Sequence, residues 1–150
     1  MNGMEKNKMN KLIIYTDGGA RGNPGPAAIG FVIGTHADGG AGKEYSEYIS
    51  ETTNNVAEYK AVIFALKKAK SLLGGNKAKQ AEVEVRSDSE LLVSQMNGSY
   101  KIKEESLKML FVDVWNLKTE FKGVSFAHIP REKNSRADAL VNRELDSRLF

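Results

Sequence analysis

Four carboxylates stand where the chain changes from one element to the next: Asp17, Glu58, Asp88 and Asp138. Asp17 lies in Ile13-Ile14-Tyr15-Thr16-Asp17-Gly18-Gly19, where an apolar strand meets glycines. Glu58 follows Thr52-Thr53-Asn54-Asn55 at the start of a helix. Asp88 follows Val83-Glu84-Val85-Arg86-Ser87, and Asp138 sits in Asn134-Ser135-Arg136-Ala137-Asp138. Each acid alone has an ordinary structural use. Asp-Gly is turn chemistry, Glu58 is near capping-box spacing from Asn55, Asp88 suits a helix N-cap, and Asp138 suits a first turn after a Ser135 cap. If the four converge at one sheet rim, they form an all-oxygen donor set of the kind hard divalent cations prefer.

Convergence depends on the elements. Lys11 to Thr16, Ala28 to Thr35 and Lys43 to Ser50 read as strands of a meander, separated by glycine-bearing turns. Asn55 to Leu73 reads as a helix stopped by Gly74-Gly75, and Glu82 to Ser87 as a fourth strand. Helices follow over Ser89 to Asn97 and Glu104 to Phe121, then a strand over Val124 to Ile129, then a helix from Ser135. The pattern predicts an α/β fold: a mixed five-stranded sheet, three antiparallel strands followed by alternating helix and strand, flanked by helices. In the first helix Glu58, Val62, Ala65, Leu66, Ala69 and Leu73 share one stripe. Glu58 therefore continues the core-facing side. An ionised carboxylate there needs a partner or a cation, because burying an unpaired charge is costly.

Four ordered blocks sharpen the reading. They are Tyr15-Thr16-Asp17-Gly18-Gly19-Ala20-Arg21-Gly22-Asn23-Pro24-Gly25-Pro26, Thr52-Thr53-Asn54-Asn55-Val56-Ala57-Glu58, Ser87-Asp88-Ser89, and Arg131-Glu132-Lys133-Asn134 leading into Ala137-Asp138. Any one is weak. In this order, at these intervals, the stretch from Lys11 to Leu145 resembles type 1 ribonuclease H, in the subgroup lacking a basic protrusion. The resemblance implies the ribonuclease H-like fold and an endoribonuclease that hydrolyses the RNA strand of RNA–DNA hybrids. It implies two Mg2+ ions assembled with substrate, with Mn2+ as a substitute. Asp17 would bridge both ions, Glu58 and Asp88 would complete one site, and Asp138 would help form the other.

The resemblance also assigns the grip on substrate. Asn23, Asn54 and Asn55 fall where a hybrid's minor groove would lie, and Thr53 where a phosphate of the DNA strand would sit. Gly18 and Ser89 join this substrate-binding set. Glu90 departs from the family pattern, since many relatives carry glutamine there. Many relatives also place a histidine on the loop before Asp138. Here His128 reads as part of a strand, whereas Arg131 lies in that loop, so Arg131 is the expected auxiliary group and His128 its rival. His36 reads as a hairpin residue, and Trp115 as a packing residue of the long helix.

Composition fits this expectation. The chain has 150 residues, no cysteine, a net charge of +3 and a pI near 9.0. That excludes disulfides, a thiolate nucleophile and cysteine-ligated zinc, and it permits nucleic-acid binding. Met1 to Asn10 reads as a loose polar leader before one catalytic domain over 11–150. No apolar run reaches membrane-spanning length, so we expect a cytoplasmic monomer with a nucleic-acid substrate and no membrane partner. The glycines after Asp17 lack a Gly-Lys-Ser/Thr ending and precede a strand, which argues against a phosphate-cradling nucleotide loop. The competing reading is a catalytically weak or inactive hybrid-binding module of the same fold. Such a module usually loses an acid, and here all four are present.

Overall fold

The computed structural model describes residues 11–35 and 38–148, with side chains left undescribed at 38–41. The leader and His36 lie outside the described residues. Strands β1 (Lys11–Ala20), β2 (Gly25–Thr35) and β3 (Asp38–Thr52) form the meander. Helices α1 (Asn54–Leu73) and α2 (Gly75–Gln80) lead to β4 (Glu82–Ser87). Then come α3 (Glu90–Met96), α4 (Glu105–Lys118), β5 (Gly123–His128), a 3-10 turn (Arg131–Lys133) and α5 (Ser135–Asp146). The sheet order is β3-β2-β1-β4-β5. β1–β2 and β2–β3 are antiparallel, whereas β1–β4 and β4–β5 are parallel. The expected mixed sheet is therefore present, with β1 at its centre.

Two apolar layers cover the two faces. Leu12, Ile14, Ile29, Phe31 and Ile33 pack with Val62, Ala65 and Leu66 of α1 and with Leu107 and Val114 of α4. On the opposite face Ala28 packs with Val141 and Leu145 of α5. Fully burying one such aliphatic side chain contributes about 1.5–3 kcal/mol, so these layers hold α1, α4 and α5 against the sheet. In the predicted α1 stripe, Val62, Ala65, Leu66 and Ala69 are buried and Glu58 is half-buried.

Several boundaries differ from the sequence expectation. β1 does not stop at Thr16: Asp17, Gly18 and Gly19 pair with Gly30, Ile29 and Ala28, which moves the turn to Arg21–Pro24. Asp17 is thus inside a strand, not at its end. The Gly74 cap does not lead into a plain loop, because α2 follows and buries Ala78. α4 ends at Lys118, where the Thr119 hydroxyl donates to the Asn116 carbonyl at 2.7 Å; Phe121 leaves the helix yet stays buried. Trp115 is 53% exposed, stacked on Phe111 and lying under the Lys118 ammonium, so it is a surface residue and not core packing.

Candidate active site

The acids are delivered by the interior of β1, the end of β4 and the starts of α1 and α5. Asp17 lies on β1, and Asp88 follows the last residue of its parallel neighbour β4. This is the carboxyl end of the parallel strands, where open α/β sheets place their ligands. Two glycines flank Asp17 and let helices come close. A Cβ on Gly18 would lie 2.2 Å from the Ala57 carbonyl oxygen, so only glycine allows α1 this near β1. Gly30, the register partner of Asp17, is similarly tight: a Cβ there would lie 2.8 Å from the Ala137 carbonyl oxygen. The first approach brings in Glu58 and the second brings in Asp138.

Asp17, Glu58 and Asp88 each offer a carboxylate oxygen, and the three oxygens lie within 4.8 Å of one another. Asp138 is outside that triangle, but it lies close enough to Asp17 to raise the Asp17 pKa by charge and hydrogen bonding. The fourth acid is therefore adjacent to the cluster. Its side chain also accepts from Asn142 Nδ2 at 3.2 Å, one turn along α5.

The electrostatics are those of an uncompensated anionic site. Asp17 is 7% exposed. Burial, then the charges of Asp88 and Asp138, pushes its carboxyl from 3.8 up to about 8. Glu58 is also raised well above the ordinary carboxylate range, by burial first and then by Asp17 and Asp88. The Gly18 N–H, donating to Glu58 Oε1 at 2.8 Å, and the positive charge of Arg131 offset part of this. Clustered acids in a partly dry site favour either protons or a cation. With all-oxygen donors at this spacing, the three carboxylates fit a hard divalent cation.

The remaining expected residues fall around this cluster. The Thr53 hydroxyl caps α1, accepting from the Val56 N–H at 3.3 Å, and Ser89 caps α3, accepting from the Leu92 N–H at 3.2 Å. Both hydroxyls keep their own proton to donate. Asn23 and Asn54 interlock: Ala20 N–H donates to Asn54 Oδ1 at 2.8 Å, and Asn54 N–H to Asn23 Oδ1 at 3.0 Å. Asn55 Nδ2 donates to Glu104 Oε1 at 2.9 Å. Glu90 accepts from the Tyr100 hydroxyl at 3.1 Å. His128 is the exposed last residue of β5, whereas Arg131 sits in the 3-10 turn with its charge felt at Glu58.

Sequence reasoning missed Asn134. The sequence pattern points to Ser135 as the cap of the last helix, but the cap residue is Asn134, which makes no side-chain cap bond. The amide is turned inward instead and is only 1% exposed. Asn134 Nδ2 donates to the Thr16 carbonyl at 2.9 Å and lies 3.5 Å from Asp88 Oδ2, while its carbonyl accepts from the Asp138 N–H at 3.1 Å. The side chain thus ties the segment that carries Asp17 to Asp88, while the backbone carbonyl of the same residue opens the helix that carries Asp138. An asparagine at a helix start reads as a cap, and nothing local in the sequence distinguishes an inward-facing one.

A family described as "Reverse transcriptase-like" matches residues 15–144. Ribonuclease HI of Halobacterium salinarum is 42% identical over 88% of this chain and 63% of its own length. The solved structure described as LC11-RNase H1 in complex with RNA/DNA hybrid superposes with a TM-score of 0.85 at 55% identity, covering 93% of this chain and 99% of that one. The chain belongs to the type 1 ribonuclease H family. Within this ribonuclease H family, lengths differ. Bifunctional protein Rv2228c of Mycobacterium tuberculosis is 38% identical over 91% of this chain, which spans only 36% of that protein. The ribonuclease H fold is shared throughout, and the Asp17–Glu58–Asp88 cluster is compatible with divalent-metal catalysis in it.

Proposed function

We propose that this ribonuclease H is an endonuclease that hydrolyses the RNA strand of RNA–DNA hybrids by two-metal-ion catalysis, leaving 5′-phosphate and 3′-hydroxyl ends. The observation that carries the reading is the convergence of the Asp17, Glu58 and Asp88 oxygens within 4.8 Å. The 55% identity to a protein solved with an RNA/DNA hybrid supports the substrate. When bound, Mg2+, or Mn2+ in its place, supplies charge stabilisation at the scissile phosphate and a more acidic attacking water. Asp17, Glu58 and Asp88 would hold one ion, and Asp17 with Asp138 would hold the second.

The chain's own residues then have separable tasks. The acid cluster offers carboxylate oxygens at the rim that exchange their protons for a cation, and the Gly18 N–H fixes the rotamer of Glu58. Asn23, Asn54 and Asn55 face the minor groove, where amides read base edges and 2′-hydroxyls without a required sequence. Thr53 and Ser89 offer hydroxyl donors to the backbone, and Gly18 lets helix and strand close around it. Arg131, whose positive charge is felt at Glu58, draws the 5′-phosphate product away after cleavage, with a guanidinium fork suited to phosphate. Water attacks phosphorus in line and the 3′ oxygen leaves, which fixes the product ends.

We read residues 11–150 as the catalytic domain and the enzyme as a monomer, because all four acids come from one chain. No helix among the described residues is long and apolar enough to cross a membrane. A hybrid substrate agrees with action in the cytoplasm. The test is cleavage of labelled hybrid, DNA duplex and RNA duplex, each with Mg2+, Mn2+ or chelator. Cation-dependent cutting of the hybrid's RNA strand is expected, and a protein that binds hybrid without cutting it would be a binding module instead.

A further inference from the structure

Glu104 occupies a position that its residue type does not suit. It is the N-cap of α4, yet its side chain makes no hydrogen bond to the helix's own amides. Ser, Thr, Asp and Asn are the favoured caps, and glutamate is not among them. The carboxylate reaches instead across to α1, where Glu104 Oε1 accepts from Asn55 Nδ2 at 2.9 Å. The segment leading to it is anchored as well. Gln95 Nε2 donates to the Lys101 carbonyl at 3.1 Å, and the Tyr100 hydroxyl donates to Glu90 at 3.1 Å. Glu104 therefore meets Asn55 from a held backbone.

The chemistry of the pair sets a direction. A carboxylate accepts and does not donate, so the Asn55 amide must turn its nitrogen toward Glu104. Its neighbours are set the opposite way. Asn54 and Asn23 each use Oδ1 to accept a backbone N–H, which leaves their nitrogens as the groups that can still donate. Among the three asparagines, Asn55 alone is held with its oxygen presented.

We propose that Glu104 is a positioning residue that fixes the Asn55 amide with its oxygen toward the bound hybrid, so that Asn55 accepts hydrogen bonds from minor-groove donors. The inference rests on the substrate role of Asn55 proposed above. The minor groove of a hybrid offers two kinds of donor, the guanine 2-amino group and the ribose 2′-hydroxyl. Its acceptors occur at every base pair and are served by Asn23 and Asn54. The pair thus gives the site one acceptor among donors.

Kinetics on the whole chain test this with three substitutions at one position. Losing one oriented hydrogen bond should raise KM about fivefold in Glu104→Ala, with kcat within about twofold. Glu104→Gln keeps an acceptor and should recover most of that loss. Glu104→Lys offers only donors and should raise KM as well, although its added positive charge favours nucleic acid. Thermal melts should change little, since the pair is solvent-exposed. Hybrids with inosine for guanosine, or with single 2′-deoxy substitutions in the RNA strand, identify the donor: the substitution that weakens the wild type but not Glu104→Ala marks the group Asn55 contacts. An unchanged KM in Glu104→Ala, a lowered KM in Glu104→Lys, or wild-type kinetics indifferent to both substrate changes overturns the inference. Failure of the wild type to cut any hybrid would instead overturn the proposed function.

Discussion

Replacing Asp17 with asparagine should stabilise the metal-free protein while removing its activity. In the folded chain the Asp17 carboxyl is pushed from 3.8 up to about 8, by burial first and then by Asp88 and Asp138. Between those values the folded state binds a proton that the unfolded chain has released. The stabilising contribution is therefore complete below about pH 3.8 and is lost as pH rises through about 8. Some four pH units at about 1.36 kcal/mol each set a ceiling of about 5–6 kcal/mol. Water and neighbouring dipoles screen much of this, so removing the charge at pH 8 should gain about 2 kcal/mol. For a domain of this size that is a rise of about 4–8 °C in Tm. Asparagine keeps the shape but not the charge, so turnover should fall by about 10³-fold or more. The assay pairs melts in chelator at pH 5 and pH 8 with cleavage at saturating Mg2+. The variant should out-melt the wild type at pH 8, with a smaller margin at pH 5. A metal-free Asp17→Asn protein that melts at or below the wild type at pH 8 refutes the electrostatic argument, and normal turnover removes Asp17 from the site.

The same repulsion predicts that Mg2+ or Mn2+ raises the wild-type Tm more at pH 8 than at pH 5; at 100 times Kd the gain approaches about 2.7 kcal/mol, and scanning calorimetry reads it. Gly18→Ala should destabilise by about 3 kcal/mol, because its Cβ would meet the Ala57 carbonyl oxygen at 2.2 Å and push α1 off β1. Denaturant unfolding checks that loss, and a variant as stable as wild type would show that the helix can shift freely. Arg131→Ala should lower kcat about tenfold and His128→Ala less than about twofold, with KM little changed in either; steady-state kinetics showing the reverse would hand the auxiliary role to His128.

The acids stood out in the sequence because four blocks, each weak alone, carry them in order, and three of them also sit beside a local signal. An apolar strand precedes Asp17, alternation precedes Asp88, and a core-facing stripe contains Glu58. The sheet was legible for the same reason, since strands and helices here carry clear periods. The extension of β1 through Gly18-Gly19 was not. Glycine pairs read as a turn, and only the closeness of Ala57 and the pairing with β2 reveal why they stay in the strand. Helix α2 escaped notice because its six residues carry a single buried apolar group, Ala78. Asn134 and Glu104 were hidden for a different reason. Both sit at helix starts, where polar residues are expected, and their partners are far away in sequence. Trp115 shows the converse: helical spacing gives Leu107, Leu110, Phe111, Val114 and Leu117 as the core-facing stripe, and Trp115 lies off it at the surface.

End analysis of the products shows whether a cation held on the carboxylate cluster drives hydrolysis of hybrid RNA. RNA labelled at either end, paired with DNA, is incubated with the protein in Mg2+ or in chelator, and the fragment termini are identified. Fragments are expected only with the cation, all bearing 5′-phosphate and 3′-hydroxyl ends, since the 3′ oxygen is the leaving group. Fragments ending in 3′-phosphate, or undiminished cleavage in chelator, would contradict this mechanism.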